Sequence, residues 1–367
     1  MSSTPEHDGP EAPLPRVEPS ASDGGGAVRP WSAGRRLTVV GLVVLVPVTL
    51  VAMGVVAWRA MWRSAAMGAE EMQFRTLHSG MEIWAGTHRD WYPLPSRVDR
   101  EHATLAEGEV KDLPRHIVSL MIYNGFYSVH TAISIVEQNP RITDDTGFEF
   151  VKPVMAADPA NALWDPAFKA VAEDLPTRGA PAIGRGSAGA PGGFSYAMMP
   201  PVGAREAFWK RGNPSTRAIL GNRGPAYEAV GSGASLTWAL VPGGTPGAAT
   251  KPGSQEIGEG SLSLQGWGDG RRWRGLTLFG DNHVEMSRGP TPPSSTFAFQ
   301  GLSAASGPLP DNIFVNENDA TRVKDGTNGI TGPGLANTNN LLRHWTGGVI
   351  DPANGRLIDI PSQLWFD

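Results

Sequence analysis

Three stretches of this sequence place side chains at spacings that chemistry uses. Gly193-Phe194-Ser195-Tyr196-Ala197 approximates a nucleophile elbow, and Asp281 and His283 follow it in the chain order of a hydrolase triad. Such a serine must sit on a tight turn between a buried strand and a helix. Here a Gly-rich loop precedes it, and Pro200 and Pro201 follow it. Asp281 and His283 are also only two residues apart, which on a strand puts both on one face beside a hairpin turn. Gly184-Arg185-Gly186-Ser187-Ala188-Gly189 fits the dinucleotide fingerprint letter for letter, but no strand is expected before it and no helix after it. Asp311, Asn316, Asn318, Asp319 and Asp325 either offer oxygens to a calcium loop or line a solvated turn. The eight histidines are scattered, with no pair at metal-ligand spacing. The chain has no cysteine, which removes disulfides, zinc thiolates and cysteine nucleophiles together. The residues therefore point to no catalytic set, no cofactor and no metal, and the expectation is that the protein is not an enzyme.

The elements that would position these residues are short. Forty-six Gly and 32 Pro make up more than a fifth of the 367 residues, which signals turns and irregular connections rather than a helical bundle. Hydrophobic residues at 40% allow a packed core, and 12 Trp and 12 Phe can supply it without disulfides. A net charge of −5 and the lack of long basic runs argue against electrostatic binding of nucleic acid.

Leu37 to Trp58 carries no charge over 22 residues. As a helix it would span about 33 Å, the hydrocarbon thickness of a bilayer. Trp31 and Trp58 flank it as interfacial anchors would. The expected organisation is a disordered cytoplasmic tail over 1–36, a transmembrane helix over 37–58 and a stalk helix over 59–92. Arg29, Arg35 and Arg36 favour the tail inside. The expected location is the cytoplasmic (inner) membrane, single-pass, with a head over 93–367 in the periplasm or outside the cell. On the stalk, Met67, Phe74, Leu77, Met81 and Trp84 share one face, for docking on a sheet or for coiled-coil pairing. Pro93 and Pro95 end the helix. A helix starting at Asp112-Leu113-Pro114 and ending at Gly125 is expected, as are strands at 197–199, 217–220, 235–241 and 276–279. Residues 178–193 and 241–254 read as loops. A two-residue hairpin tip is expected at Asp281-Asn282.

The stretch LTLFGDNHVEM (276–286) resembles a motif of bacterial pseudopilin-like proteins, the group named for a His, nine residues, then Asp-Gly. Phe279, Asp281, His283, Val284 and Glu285 match its apolar strand and turn. Asn282 stands in place of the Gly, and Asn also tolerates positive φ. The upstream His would fall at 271, where this chain has Arg271. LHSGMEIWAGTHRDWYPLPS (77–96), ISIVEQNPRI (133–142), NPSTRAILGNRGPAY (213–227) and DNIFVNEND (311–319) are similar to segments of the same group and stand in the same order. At the N-terminus Arg36 stands where that family has the Gly before its processing site. Leu37 would be the first residue of the processed chain, and Gly41 stands where the family carries a Glu.

The resemblance implies an α+β fold, a pilin-like lollipop with a long N-terminal transmembrane and stalk helix packed on an antiparallel β-sheet head. It implies a non-enzymatic component of a type II secretion or type IV pilus-like system. The expected partners are the lipid bilayer and other pseudopilins or secretion-system subunits. The alternative expectation is a membrane-anchored extracytoplasmic binding protein for a solute, a glycan or a partner protein.

Overall fold

The computed structural model describes residues 33–175, 182–243, 256–302, 306–326, 329–361 and 364–366, with side chains from residue 47 onward. Of the expected tail, residues 1–32 lie outside the described residues. Arg36, Leu37 and Gly41 fall within helix α1 (Ala33–Thr87), but their side chains are likewise outside the described residues. The chain divides into two units, Met1–Met61 and Trp62–Asp367.

In the first unit the described structure is the N-terminal part of α1, which runs through Pro47. The expected transmembrane span is corrected here: among the described residues no helix is long and apolar enough to cross a membrane. α1 continues without a break past the uncharged stretch, and Arg59 and Arg63 follow Trp58 on the same helix. The inner-membrane location and the membrane-spanning, extracytoplasmic character inferred from that span are withdrawn with it.

The second unit corrects the expected stalk and single-sheet head. From Ala66 onward α1 is a core element. Ala66, Glu70, Phe74, Leu77, Met81, Trp84 and Ala85 are buried along one stripe, while Met67 is only half-buried. The helix ends because Arg89 and Asp90 adopt positive φ, and Asp90 N donates back to Ala85 O. A four-residue helix α2 (Pro95–Val98) and α3 (Pro114–Tyr123) follow. Proline at the start of each sets φ for a first turn that lacks a partner for its N–H anyway. Asp112 does not cap α3. Its carboxylate accepts from Ser96 N and Oγ instead. Gly125, at positive φ, follows the end of α3.

Among the described residues the β-structure is one four-stranded sheet and four two-stranded ribbons, all antiparallel. The large sheet contains β1 (Tyr196–Met198), β2 (Ala218–Asn222), β5 (Gly275–Phe279) and β6 (Val284–Ser287), in the order β1-β2-β5-β6. The ribbons pair β3 (Tyr227–Val230) with β4 (Thr237–Leu240), β7 (Thr296–Phe297) with β8 (Leu309–Pro310), β9 (His344–Trp345) with β12 (Leu364–Trp365), and β10 (Val349–Asp351) with β11 (Arg356–Asp359). All four expected strand segments fall on β1, β2, β4 and β5.

Much of the second unit is irregular, and buried side chains tie it together. Three buried tryptophans donate their indole N–H to distant carbonyls: Trp209 to Pro93, Trp273 to Arg223 and Trp345 to Asp112. Buried Arg343 donates to Phe314 O, Gly224 O and Pro225 O. These bonds satisfy loop carbonyls that no ladder serves, and an unsatisfied buried carbonyl would cost about 1–3 kcal/mol.

Candidate functional site

The motif residues form the β5–β6 hairpin. Leu278 pairs with Val284, and Phe279 N donates to His283 O at 3.0 Å. Asn282 N donates to Phe279 O at 2.9 Å, and Asn282 sits at φ 68°. The loop is therefore three residues, Gly280-Asp281-Asn282, rather than the two expected. A turn followed by one left-handed residue matches the twist of such a hairpin. Gly280 passes so close to the 213 loop that a Cβ there would lie 2.3 Å from Asn213 Cβ. Phe279 is buried and the His283 ring stacks on it, with centroids 4.5 Å apart. His283 Nδ1 lies 2.5 Å from Asp281 Oδ1. Burial acts to raise the Asp281 carboxyl, but the hydrogen bonds from His283 outweigh it and hold the group below its ordinary range. Glu285 pairs with Thr277 and accepts from Ser294 N.

Beneath the hairpin tip lies a buried polar chain that the sequence did not announce. His78, on α1, is 1% exposed. Its Nδ1 is 3.1 Å from Asn282 Oδ1 and its Nε2 is 3.0 Å from Tyr92 Oη. Tyr92 Oη in turn is 2.5 Å from Glu82 Oε1. Nδ1–H donates to Asn282, so the single hydroxyl proton of Tyr92 serves either His78 Nε2 or the Glu82 carboxylate. A proton on Nε2 serves both bonds at once. Burial holds His78 below its ordinary range, with Asn282, Glu82 and Asp281 opposing it.

Two turns earlier on α1, Glu70 is fully buried and accepts three donors. Ser134 Oγ and Asn222 Nδ2 reach Oε1 at 2.5 and 2.7 Å, and Trp267 Nε1 reaches Oε2 at 2.7 Å. Burial raises its carboxyl above the usual range, and the three hydrogen bonds pull it back in part. An acid within the apolar stripe, four residues from both Ala66 and Phe74, was the signal that could have revealed this hub.

The other sites considered from sequence do not assemble. Ser195 is buried just before β1, whose Tyr196 pairs with Asn222, whereas His283 lies at the opposite end of the sheet, where Ala218 pairs with Phe279. Four residues of strand separate the two levels, about 13 Å. In and beside the fingerprint loop the cations are already engaged. Arg185 bonds Asp145 and Asp165, and Lys169 Nζ donates to Ala172 O and Ser187 O. In the acidic segment the oxygens serve the chain itself. Asp311 accepts from Asn339 and Asn340, Asp319 from Thr338, Asn318 from Ala320 and Thr321, and Asp325 from Asn337. Among the described residues no three His, Cys, Asp or Glu side chains come together to hold a metal.

Comparison with protein-family models, with curated proteins and with solved structures finds no match.

Proposed function

We propose that the protein is a non-catalytic, pseudopilin-like subunit that acts through protein contacts in a type II secretion or type IV pilus-like system. One observation carries this reading: every motif residue from Phe279 to Glu285 is used to build the hairpin or to seat it on α1. Asn282, at the motif's Gly position, adopts the left-handed backbone that position calls for. The order of the similar segments along the chain supports the same reading. Binding of a solute, glycan or partner protein is the second reading, favoured by a groove beside α1.

The test is in-cell cross-linking of the full chain in its native bacterium, with partners identified by mass spectrometry. Cross-links from the 279–285 hairpin and its surroundings to prepilin-type or secretion-system subunits are expected. Cross-links confined to proteins outside any such system would remove the first reading.

A further inference from the structure

Within the second unit, a groove of about 330 Å³ opens between the α1 segment from Trp62, the 135–138 loop, the 266–267 turn and the end of β6. Its apolar surface comes from Trp62, Met67, Ile135, Val136, Trp267 and Met286. Its polar surface is dominated by three guanidinium groups, those of Arg63, Arg274 and Arg288. Among the described residues no acidic side chain lines the groove, although the chain as a whole carries a net charge of −5. The exposed Asp269 carboxyl, held low chiefly by the backbone N–H groups of Arg271 and Arg272 and last by Arg274, lies outside the lining.

The groove is built rather than incidental. Trp267, in its wall, is pinned by its indole N–H to the buried Glu70 carboxylate at 2.7 Å. Met286 is on β6, and Arg288 lies in the bend that directly follows its last residue, Ser287. On α1, Arg63 and Met67 are one helical turn apart and share a face. α1 thus contributes Trp62, Met67 and Arg63, and the end of β6 with the bend after it contributes Met286 and Arg288.

We infer that this groove binds a small amphipathic anion, an alkyl or aryl body carrying one phosphate or carboxylate head. Three features select that class. The volume lies at the small end of the range for small-molecule sites. Arginine forks match the oxygens of phosphate or carboxylate two at a time. Trp62 is 55% exposed, leaving its face open to an apolar body. The head would lie among the three arginines and the body against Trp62 and Met67. The inference stands apart from the secretion reading and holds or fails without it.

The experiment is calorimetric titration of the full chain with octyl phosphate, kept below its micelle concentration. Octyl glucoside supplies the same tail without charge, and inorganic phosphate supplies the head alone. Octyl phosphate should bind saturably, and at least tenfold more tightly than either control. Arg274→Gln with Arg288→Gln should weaken it at least tenfold, and Trp62→Ala severalfold. The two arginines are exposed, so this variant should melt as the wild type does. Octyl glucoside binding as well as octyl phosphate would overturn the proposal, showing simple adsorption to apolar surface. Unchanged affinity in the folded double variant would overturn it too. Inorganic phosphate binding as tightly as octyl phosphate would also exclude the amphipathic ligand.

Discussion

His78 and Asn282 are 204 residues apart in the chain and 3.1 Å apart in space, joining the C-terminal part of α1 to the tip of the β5–β6 hairpin. Asn282 therefore has two roles. Its backbone takes the left-handed conformation of the turn, and its side chain satisfies a buried imidazole nitrogen. A Gly would serve only the first.

Asn282→Gly should accordingly destabilise the protein by about 1 kcal/mol, since relief of the φ 68° conformation is outweighed by an orphaned buried His78 nitrogen. Asn282→Val adds β-branched strain at positive φ and should cost roughly 3 kcal/mol. Urea denaturation of both variants checks this. A Gly variant at least as stable as the wild type would mean that the side-chain bond contributes nothing.

Combining His78→Leu with Asn282→Gly should cost less than the sum of the two single changes, by about 1 kcal/mol, because each single change leaves the other partner unsatisfied. Strict additivity in the double-mutant cycle would argue that the two side chains do not couple.

Glu70→Leu should be among the most damaging single changes in α1, since it strands the donors of Ser134, Asn222 and Trp267 in a buried site. A loss of about 3 kcal/mol or more is expected. Glu70→Gln keeps one acceptor oxygen and should lose less. Similar melting of Glu70→Leu and wild type would contradict the hub.

His344 is buried, with neither ring nitrogen hydrogen-bonded among the described residues, and burial together with Arg223 pushes its pKa down to about 3. The unfolded chain takes up a proton here below about pH 6.5, whereas the folded chain does so only near 3. The unfolded state thus binds more protons in that window, and stability attributable to His344 falls as pH falls from 6.5 towards 3, by about 1.4 kcal/mol per unit. His344→Leu should remove this component, so the stability difference between variant and wild type should grow in the variant's favour as pH drops from 6.5 to 4. A difference that does not change with pH would mean that His344 titrates normally.

Calcium should leave the melting temperature unchanged, because Asp311, Asn318, Asp319 and Asp325 spend their oxygens on backbone and amide donors. A rise of several degrees in calcium over chelator would show that these groups exchange their internal bonds for a cation.

The hairpin motif, the apolar stripe of α1 and the strand segments were legible because each depends on neighbours within a few residues. Period 2 brought out β5, period 3.6 brought out Phe74, Leu77, Met81 and Trp84, and prolines marked the helix starts. The uncharged run at 37–58 read as a membrane span, yet among the described residues no helix is long and apolar enough to cross a membrane. Asp112 read as a helix cap, but it serves Ser96 instead.

By itself, then, the sequence determined the apolar stripe of α1, the start of α3 and the segments of β1, β2, β4 and β5, and that no cysteine chemistry is available. Only the tertiary structure decided which polar groups become buried partners. Glu70 finds Trp267, His78 finds Asn282, and Arg63 joins Arg274 and Arg288 around one groove, across separations of some 150 residues or more. The physical reason is that a buried polar group is tolerable only when a partner meets it, and chain spacing does not reveal which distant partner that is.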